Sequence, residues 1–295
     1  MASGAESAGA FQLDVATDEL YAAFSPDGTR LLTGGRRVQI WDGETGRCLA
    51  LLQGHRGPVT ALCWAPGGEQ TASGGFDDHA VRLWDVGSGA CLRTFDGHAR
   101  YIRSVAVSPS GRYVVSGSGD ATIRLWERMS GECIRVFEGH TDGVYHAVFD
   151  PGERRILSGG RDGTVRLWDL ASGRCASLLQ GAPYHVQYLA WASDQRHFLS
   201  CSRDIRVCDA AEARCLRVLS GHTDTIRSVQ WSADETRILS ASHDRTVRVW
   251  DSATGRCLQV LEGHAAAVVA AAWGRHGKIL SCDAGGGLRV WRPAE

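Results

Sequence analysis

The chain has 295 residues, 43% of them apolar, and its 32 Lys and Arg against 33 Asp and Glu leave a net charge of −1. That balance argues against a dedicated nucleic-acid or anionic-membrane binder, because neutralising phosphates needs a basic excess somewhere. Residues 1–10 carry no cation and no apolar run, so they do not read as a secretory signal. The longest apolar run, residues 265–273, falls far short of the ~20 residues a spanning helix needs. The expectation is a soluble, cytoplasmic chain with neither a nucleic-acid nor a membrane partner.

Taken in order, residues 1–9 read as a flexible N-terminus. Ala10 to Val15 alternates apolar and polar residues, as a strand does. From there the chain repeats. A Trp closes each unit at Trp41, Trp84, Trp126, Trp168, Trp250 and Trp291, and Cys208 fills the slot between Trp168 and Trp250, giving a period of 40 to 43 residues. Seven such units leave no room for a second domain, so residues 10–292 are read as one domain. In the unit from Gly139 to Asp169, two apolar alternations flank Asp150-Pro151-Gly152. A turn at 159–163 then leads into Thr164 to Trp168, and another at 171–173 precedes Cys175 to Leu179. The turns carry Gly, Pro, Asp and Ser, which supply a positive or fixed φ. Each unit therefore reads as four short strands, and the class is all-β.

The ten cysteines need a separate reading. Six of them (Cys48, Cys91, Cys133, Cys175, Cys215, Cys257) share one slot of successive units, which places them too far apart for bridges, and no C-x-x-C pair suggests zinc. They are expected to be reduced, small, hydrophobe-like residues.

A four-stranded antiparallel unit cannot bury both faces alone, whereas radial repetition packs each sheet on its neighbours. The Gly-His to Trp-Asp spacing, the ~42-residue period and the phrase S-G-G-R-D-G-T-V-R-L-W-D together resemble the WD-repeat β-propeller family. The fold expected is a seven-bladed β-propeller of four-stranded antiparallel sheets. Six outer strands follow the closing residues of units one to six, and the seventh is expected from residues 10–15, locking the ring.

Repeated Ser, His and Asp residues invite a catalytic reading. The sets are His98, Ser116, Asp120, Trp126; His140, Ser158, Asp162, Trp168; and His222, Ser240, Asp244, Trp250. Unit two adds His55, Ser73 and Trp84, with Asp77 or Asp78 as the acid. A triad needs one exposed nucleophile beside an oxyanion site, and a set copied four times with an indole donor fits a structural network better. The resemblance implies the same, a buried Asp-His-Ser-Trp hydrogen-bond chain. Three units depart from the pattern. Units one and five lack Gly-His, unit five (Gly181-Ala182) also has Cys208 for Trp, and unit seven has Gly285 at the Asp position. These sheets are expected to be less stiff, through drift or specialisation.

The motifs of phosphate-binding loops, zinc proteases, dinucleotide folds and hydrolase elbows are absent, so no cofactor, metal or catalytic residue is expected. Trp64, Trp191, Trp231 and Trp273 share a slot at the end of the inner strand and read as sheet packing. Propellers of this family commonly bind peptides on the top face. The corresponding positions are Tyr101, Arg103, Tyr145, His185, Gln187 and Arg227 on first strands, with Phe76, Arg161, Arg203 and His243 just before the network Asp. Tyr and Arg are enriched at binding hot spots, and Arg pairs bidentately with carboxylate or phosphate. The function expected is a non-enzymatic scaffold, monomeric by itself, that takes an acidic or phosphorylated protein segment. The alternatives are a regulatory or substrate-recruiting subunit of an enzyme complex and an enzyme using the central pocket.

Overall fold

The computed structural model describes residues 7–14, 21–180 and 185–292. Seven antiparallel four-stranded sheets follow one another, six of them built from four consecutive strands. Blade one spans Tyr21–Phe24, Arg30–Gly34, Val38–Asp42 and Cys48–Leu52. Blade four spans Val144–Phe149, Arg155–Gly160, Thr164–Asp169 and Cys175–Gln180. Blades two, three, five and six run over residues 59–95, 102–137, 188–219 and 226–261, and blade seven joins Val268–Trp273, Ile279–Asp283 and Gly287–Trp291 to Ser7–Gln12. Among the described residues there is no α-helix, and a single 3-10 turn, Arg275–Gly277, precedes Lys278.

The alternation that marks strands in the sequence appears as graded burial across each sheet. Second strands, in the middle of the blade, are covered on both faces, as in Arg155–Gly160, where five consecutive residues are buried. Fourth strands lie on the outside and alternate exposed with half-buried residues, as in Cys133–Phe137. Cys48, Cys91, Cys175 and Cys257 lie on this rim and are exposed, so they do not act as interior fillers; all ten thiols are free. Each shared-slot cysteine pairs across the strands with its blade's closing residue, as in Trp168↔Cys175, and in blade five the pair becomes Cys208↔Cys215.

The apolar cores lie between blades. One joins Val115, Ile123, Leu125 and Phe137 of blade three to Val144, Ala147, Phe149, Ile156 and Trp168 of blade four. Trp84, Trp126, Trp168, Trp250 and Trp291 are fully buried at these interfaces. The second glycine-bearing strand explains the S-G-G phrase in part. A Cβ on Gly159 would sit 2.4 Å from Val186 Cγ1, and one on Gly117 2.7 Å from Val144 Cγ1. At these two positions the missing Cβ leaves the room that the valine of the next blade fills.

The ring closes as the strand count requires. Ser7–Gln12 pairs antiparallel with Gly287–Trp291, in register from Gln12↔Gly287 to Ala10↔Arg289. The closing strand begins at Ser7 rather than Ala10, so the domain starts inside the segment read as flexible; Val15 and residues 1–6 lie outside the described residues. Leu13 is buried, and Phe11 is half-buried in a core with Leu31, Trp41, Cys282 and Leu288, which joins the closing strand to blade one.

Candidate interaction surface

In blade four the indole N–H of Trp168 donates to Ser158 Oγ at 2.8 Å. Ser158 Oγ lies 2.7 Å from His140 Nε2, and His140 Nδ1 lies 2.8 Å from Asp162 Oδ2. An indole can only donate and a carboxylate can only accept, so the protons have one consistent order. Trp donates to Ser, Ser to Nε2, and Nδ1–H to the carboxylate, with a neutral imidazole in the middle. Blade three repeats this with Trp126, Ser116, His98 and Asp120, and blade six with Trp250, Ser240, His222 and Asp244. In blade two the acid is Asp78, 2.9 Å from His55 Nδ1, with Ser73 and Trp84 completing the chain, while Asp77 is exposed. The serines are fully buried, so none is placed as a nucleophile.

Blade seven corrects the sequence reading. His264 Nδ1 is 2.8 Å from Asp283 Oδ2, His264 Nε2 is 2.6 Å from Ser281 Oγ, and Trp291 donates to Ser281 at 2.7 Å. The network is complete, but its acid stands two residues after the serine instead of four. Blade four shows why this works. A Cβ at the equivalent Gly160 would lie 3.4 Å from His140 Nδ1, so a side chain from that position points at the imidazole. Blades one and five are the genuine departures. Trp41 donates to Thr33 at 2.7 Å with no histidine beyond, and Cys208 lies 4.0 Å from Ser200. Residues 181–182 of unit five lie outside the described residues. The sequence reading also missed a fifth partner. Thr122, Thr164 and Thr246 each donate a hydroxyl to the second oxygen of the network Asp at 2.7–2.8 Å. Its signal was the Thr two residues after the Asp in those three units.

Burial pushes His140 and His222 below the ordinary histidine value, against the pull of their Asp partners. For Asp244, burial alone would raise the pKa, but hydrogen bonds from Thr246 and His222 outweigh it and hold the carboxyl at about 2. The unfolded histidines take up protons below their unperturbed pKa of ~6.5, and the unfolded carboxyls below ~3.9. Both groups therefore favour the fold at neutral pH and penalise it in acid. The urea midpoint should stay level above pH 7, fall as pH drops below ~6.5, and fall faster below ~4. A midpoint higher at pH 5 than at pH 7 would contradict the proton order given above.

The candidate binding residues divide into two groups. Arg103, Tyr145, Gln187 and Arg227, from blades three to six, line the central channel, a cavity of about 310 Å³, together with Tyr21 of blade one. Both guanidiniums lie over the Tyr21 ring, Arg103 at 5.3 Å and Arg227 at 5.2 Å, and Arg103 donates to the Tyr21 hydroxyl. Arg103 is also 5.2 Å from the Tyr145 ring. Tyr21 went unnoticed in the sequence because its unit has no Gly-His to set the register, yet its pairing with Gly34 matches that of His146 with Gly159.

The other candidates sit on the rim. Phe76 is 44% exposed and stacks on Tyr101 at 4.9 Å. His185 packs edge-on against Tyr145 at 5.8 Å and meets the Arg161 carbonyl at 3.2 Å. Arg161 turns outward to Asp142, 3.6 Å away, so it does not converge with Arg103 and Arg227. Arg203 is exposed and His243 is half-buried. Burial and the charge of Arg227 push His243 below the ordinary histidine value. The tryptophan slot is packing, as expected. Trp64 is buried and donates to the Ala23 carbonyl of the preceding blade, and Trp191, Trp231 and Trp273 pack against inter-blade cores.

A closed ring of seven sheets with repeated Trp-Ser-His-Asp chains and an open axial channel defines a seven-bladed propeller of the kind that presents binding surfaces to other proteins. The family model described as "WD domain, G-beta repeat" matches residues 46–85, 89–127, 131–169, 213–251 and 255–292, and the chain belongs to that family. The unmatched stretches hold the degenerate units one and five. The chain is also similar to the "Periodic tryptophan protein 2 homolog" of Dictyostelium discoideum. They are 44% identical over 46 residues, which is 15% of this chain and 5% of that relative's length.

Proposed function

We propose that this propeller is a non-enzymatic scaffold that binds an acidic or phosphorylated segment of a partner protein at the mouth of its channel. The observation behind this reading is the convergence of Arg103, Tyr145, Gln187 and Arg227 from four blades on one cavity, with the Phe76–Tyr101 stack beside it. Rigid aromatics and forked guanidiniums are the side chains that supply most energy at protein interfaces. WD-repeat propellers typically bind protein partners, and the buried networks leave the variable first-strand positions as the source of specificity.

Affinity capture from native lysate tests the proposal. Charge reversal at Arg103 and Arg227 together should abolish capture of the partner, whereas reversal at Arg161, which faces Asp142, should leave most of it. Undiminished capture by a folded Arg103/Arg227 double variant would sink the proposal. Co-purification of a catalytic chain, lost in the same variant, would instead support the recruiting-subunit reading.

A further inference from the structure

Among the described residues, the channel mouth gathers two guanidiniums and no carboxylate. Arg103 and Arg227 approach the axis from blades three and six and share the single Tyr21 ring. Among the described residues no Asp or Glu lines the channel. Burial, and then the charge of Arg103, push Arg227 below the ordinary arginine value, against the pull of Tyr21. A tyrosine face attracts a cation but does not neutralise it, so a second guanidinium on the same ring gains no counter-charge. Paired, half-buried cations of this kind call for an anion.

The deeper channel does not provide one. Below the arginines lie Ala22, Ala61, Ala106 and Ala270, with His146 packed on Tyr188 at 3.9 Å. Burial pushes His146 down to about 3 and the Tyr188 phenol up to about 12, so both are neutral at pH 7. His146 Nδ1 is enclosed and has no hydrogen-bond partner. An anion entering from the mouth therefore stops at the arginine layer.

Charge matching selects its class. A carboxylate brings one negative charge, whereas a phosphate monoester brings about 1.5 to 2 at pH 7 together with three acceptor oxygens. Two guanidinium forks offer more donors than one carboxylate can use. We infer that the channel mouth is a phosphate-monoester site in which Arg103 and Arg227 clamp one phosphoryl group of a partner segment above Tyr21. This rests on the interaction reading above and narrows its ligand from acidic or phosphorylated to phosphorylated.

The full chain should be titrated calorimetrically with inorganic phosphate, with phosphoserine, and with acetate at matched ionic strength. Phosphate is expected to bind, phosphoserine to bind at least as tightly, and acetate to give no saturable signal. Arg103→Gln and Arg227→Gln should each weaken phosphate about tenfold or more, which is the loss of one or more charge-assisted hydrogen bonds, and Arg161→Gln should not. Where a glutamine variant fails to fold, Arg227→Lys keeps the charge, removes the fork and should still weaken binding. Two results would overturn the inference: acetate binding as well as phosphate, and phosphate binding that survives loss of both arginines. Failure with phosphate alongside Arg103/Arg227-dependent partner capture would remove the phosphoryl assignment and leave the interaction reading standing.

Discussion

A chain lacking residues 1–14 is expected to melt roughly 10 °C below the 295-residue chain. The loss follows from what the closing strand contributes. It removes the ladder from Gln12↔Gly287 to Ala10↔Arg289, the Leu13 N–H to Gly286 carbonyl bond at 2.9 Å, and the Gln12 amide bond to the Gly285 carbonyl at 2.6 Å. It also strips Leu13, 2% exposed, and Phe11 from the core shared with Trp41 and Leu288. Burying side chains of this size is worth about 1.5–3 kcal/mol each, and in a chain of this length each kcal/mol moves the midpoint by roughly 2–4 °C or less. The truncation also leaves Gly287–Trp291 as an open edge, so the shortened protein should aggregate more readily. Scanning calorimetry of the two chains decides the matter. Equal midpoints would mean that the ring does not depend on this strand.

Asp283→Ala is expected to be a costly substitution in blade seven. Its carboxylate receives His264 Nδ1 at 2.8 Å and the backbone N–H groups of Gly285 at 3.0 Å and Gly287 at 2.8 Å, and it is 3% exposed. Each donor left unpaired in a buried site costs about 1–3 kcal/mol, so a total of roughly 3–5 kcal/mol is expected by urea unfolding. Moving the acid should recover part of this. A Cβ at Gly285 meets nothing closer than 3.4 Å, and that distance is to the Asp283 carboxylate which the first substitution removes. Gly285→Asp on the Asp283→Ala background would then copy the arrangement of Asp162 in blade four. A cost below about 1 kcal/mol, or no rescue, would show that Asp283 serves the fold in some other way.

The same residue shows how far the sequence could be read. The strand order, the blade number and the closing strand were all legible, because a ~42-residue period and alternating short strands leave one ring that pairs every edge. Three of the five complete networks were fully legible too, since their His, Ser, Asp and Trp keep constant offsets, whereas one extra residue in the turn of blade two left its acid open between Asp77 and Asp78. Blade seven was not, because an offset rule carries no information about direction in space. The imidazole can be reached from two backbone positions, and only coordinates show that the nearer one also points at it. The hint was there to be found: position 283 holds Asp where the equivalent residues are Gly75, Ser118, Gly160 and Ser242. Among the candidate binding residues, register placed Arg103, Tyr145, Gln187 and Arg227 on inner strands and so around one cavity. It could not show that Arg161 turns to Asp142, because an exposed side chain follows its nearest charge rather than its slot. Tyr21 was hidden for the opposite reason, since its unit lacks the landmarks that define a slot.

The pairing of Gln12 with Gly287 also sets a clock on the molecule's birth. Of the described strands the one made earliest is among the last to find its partner, and at about 5–20 residues per second it waits on the order of 15–60 s for that partner to be made. Through that interval the six sheets built from consecutive strands can form locally, one hairpin at a time, while Phe11 and Leu13 stay uncovered. The final contact joins the most distant parts of the described chain, which makes it slow to form as well as late. The same strand that seals the finished ring is thus the stretch most in need of protection before the ring exists.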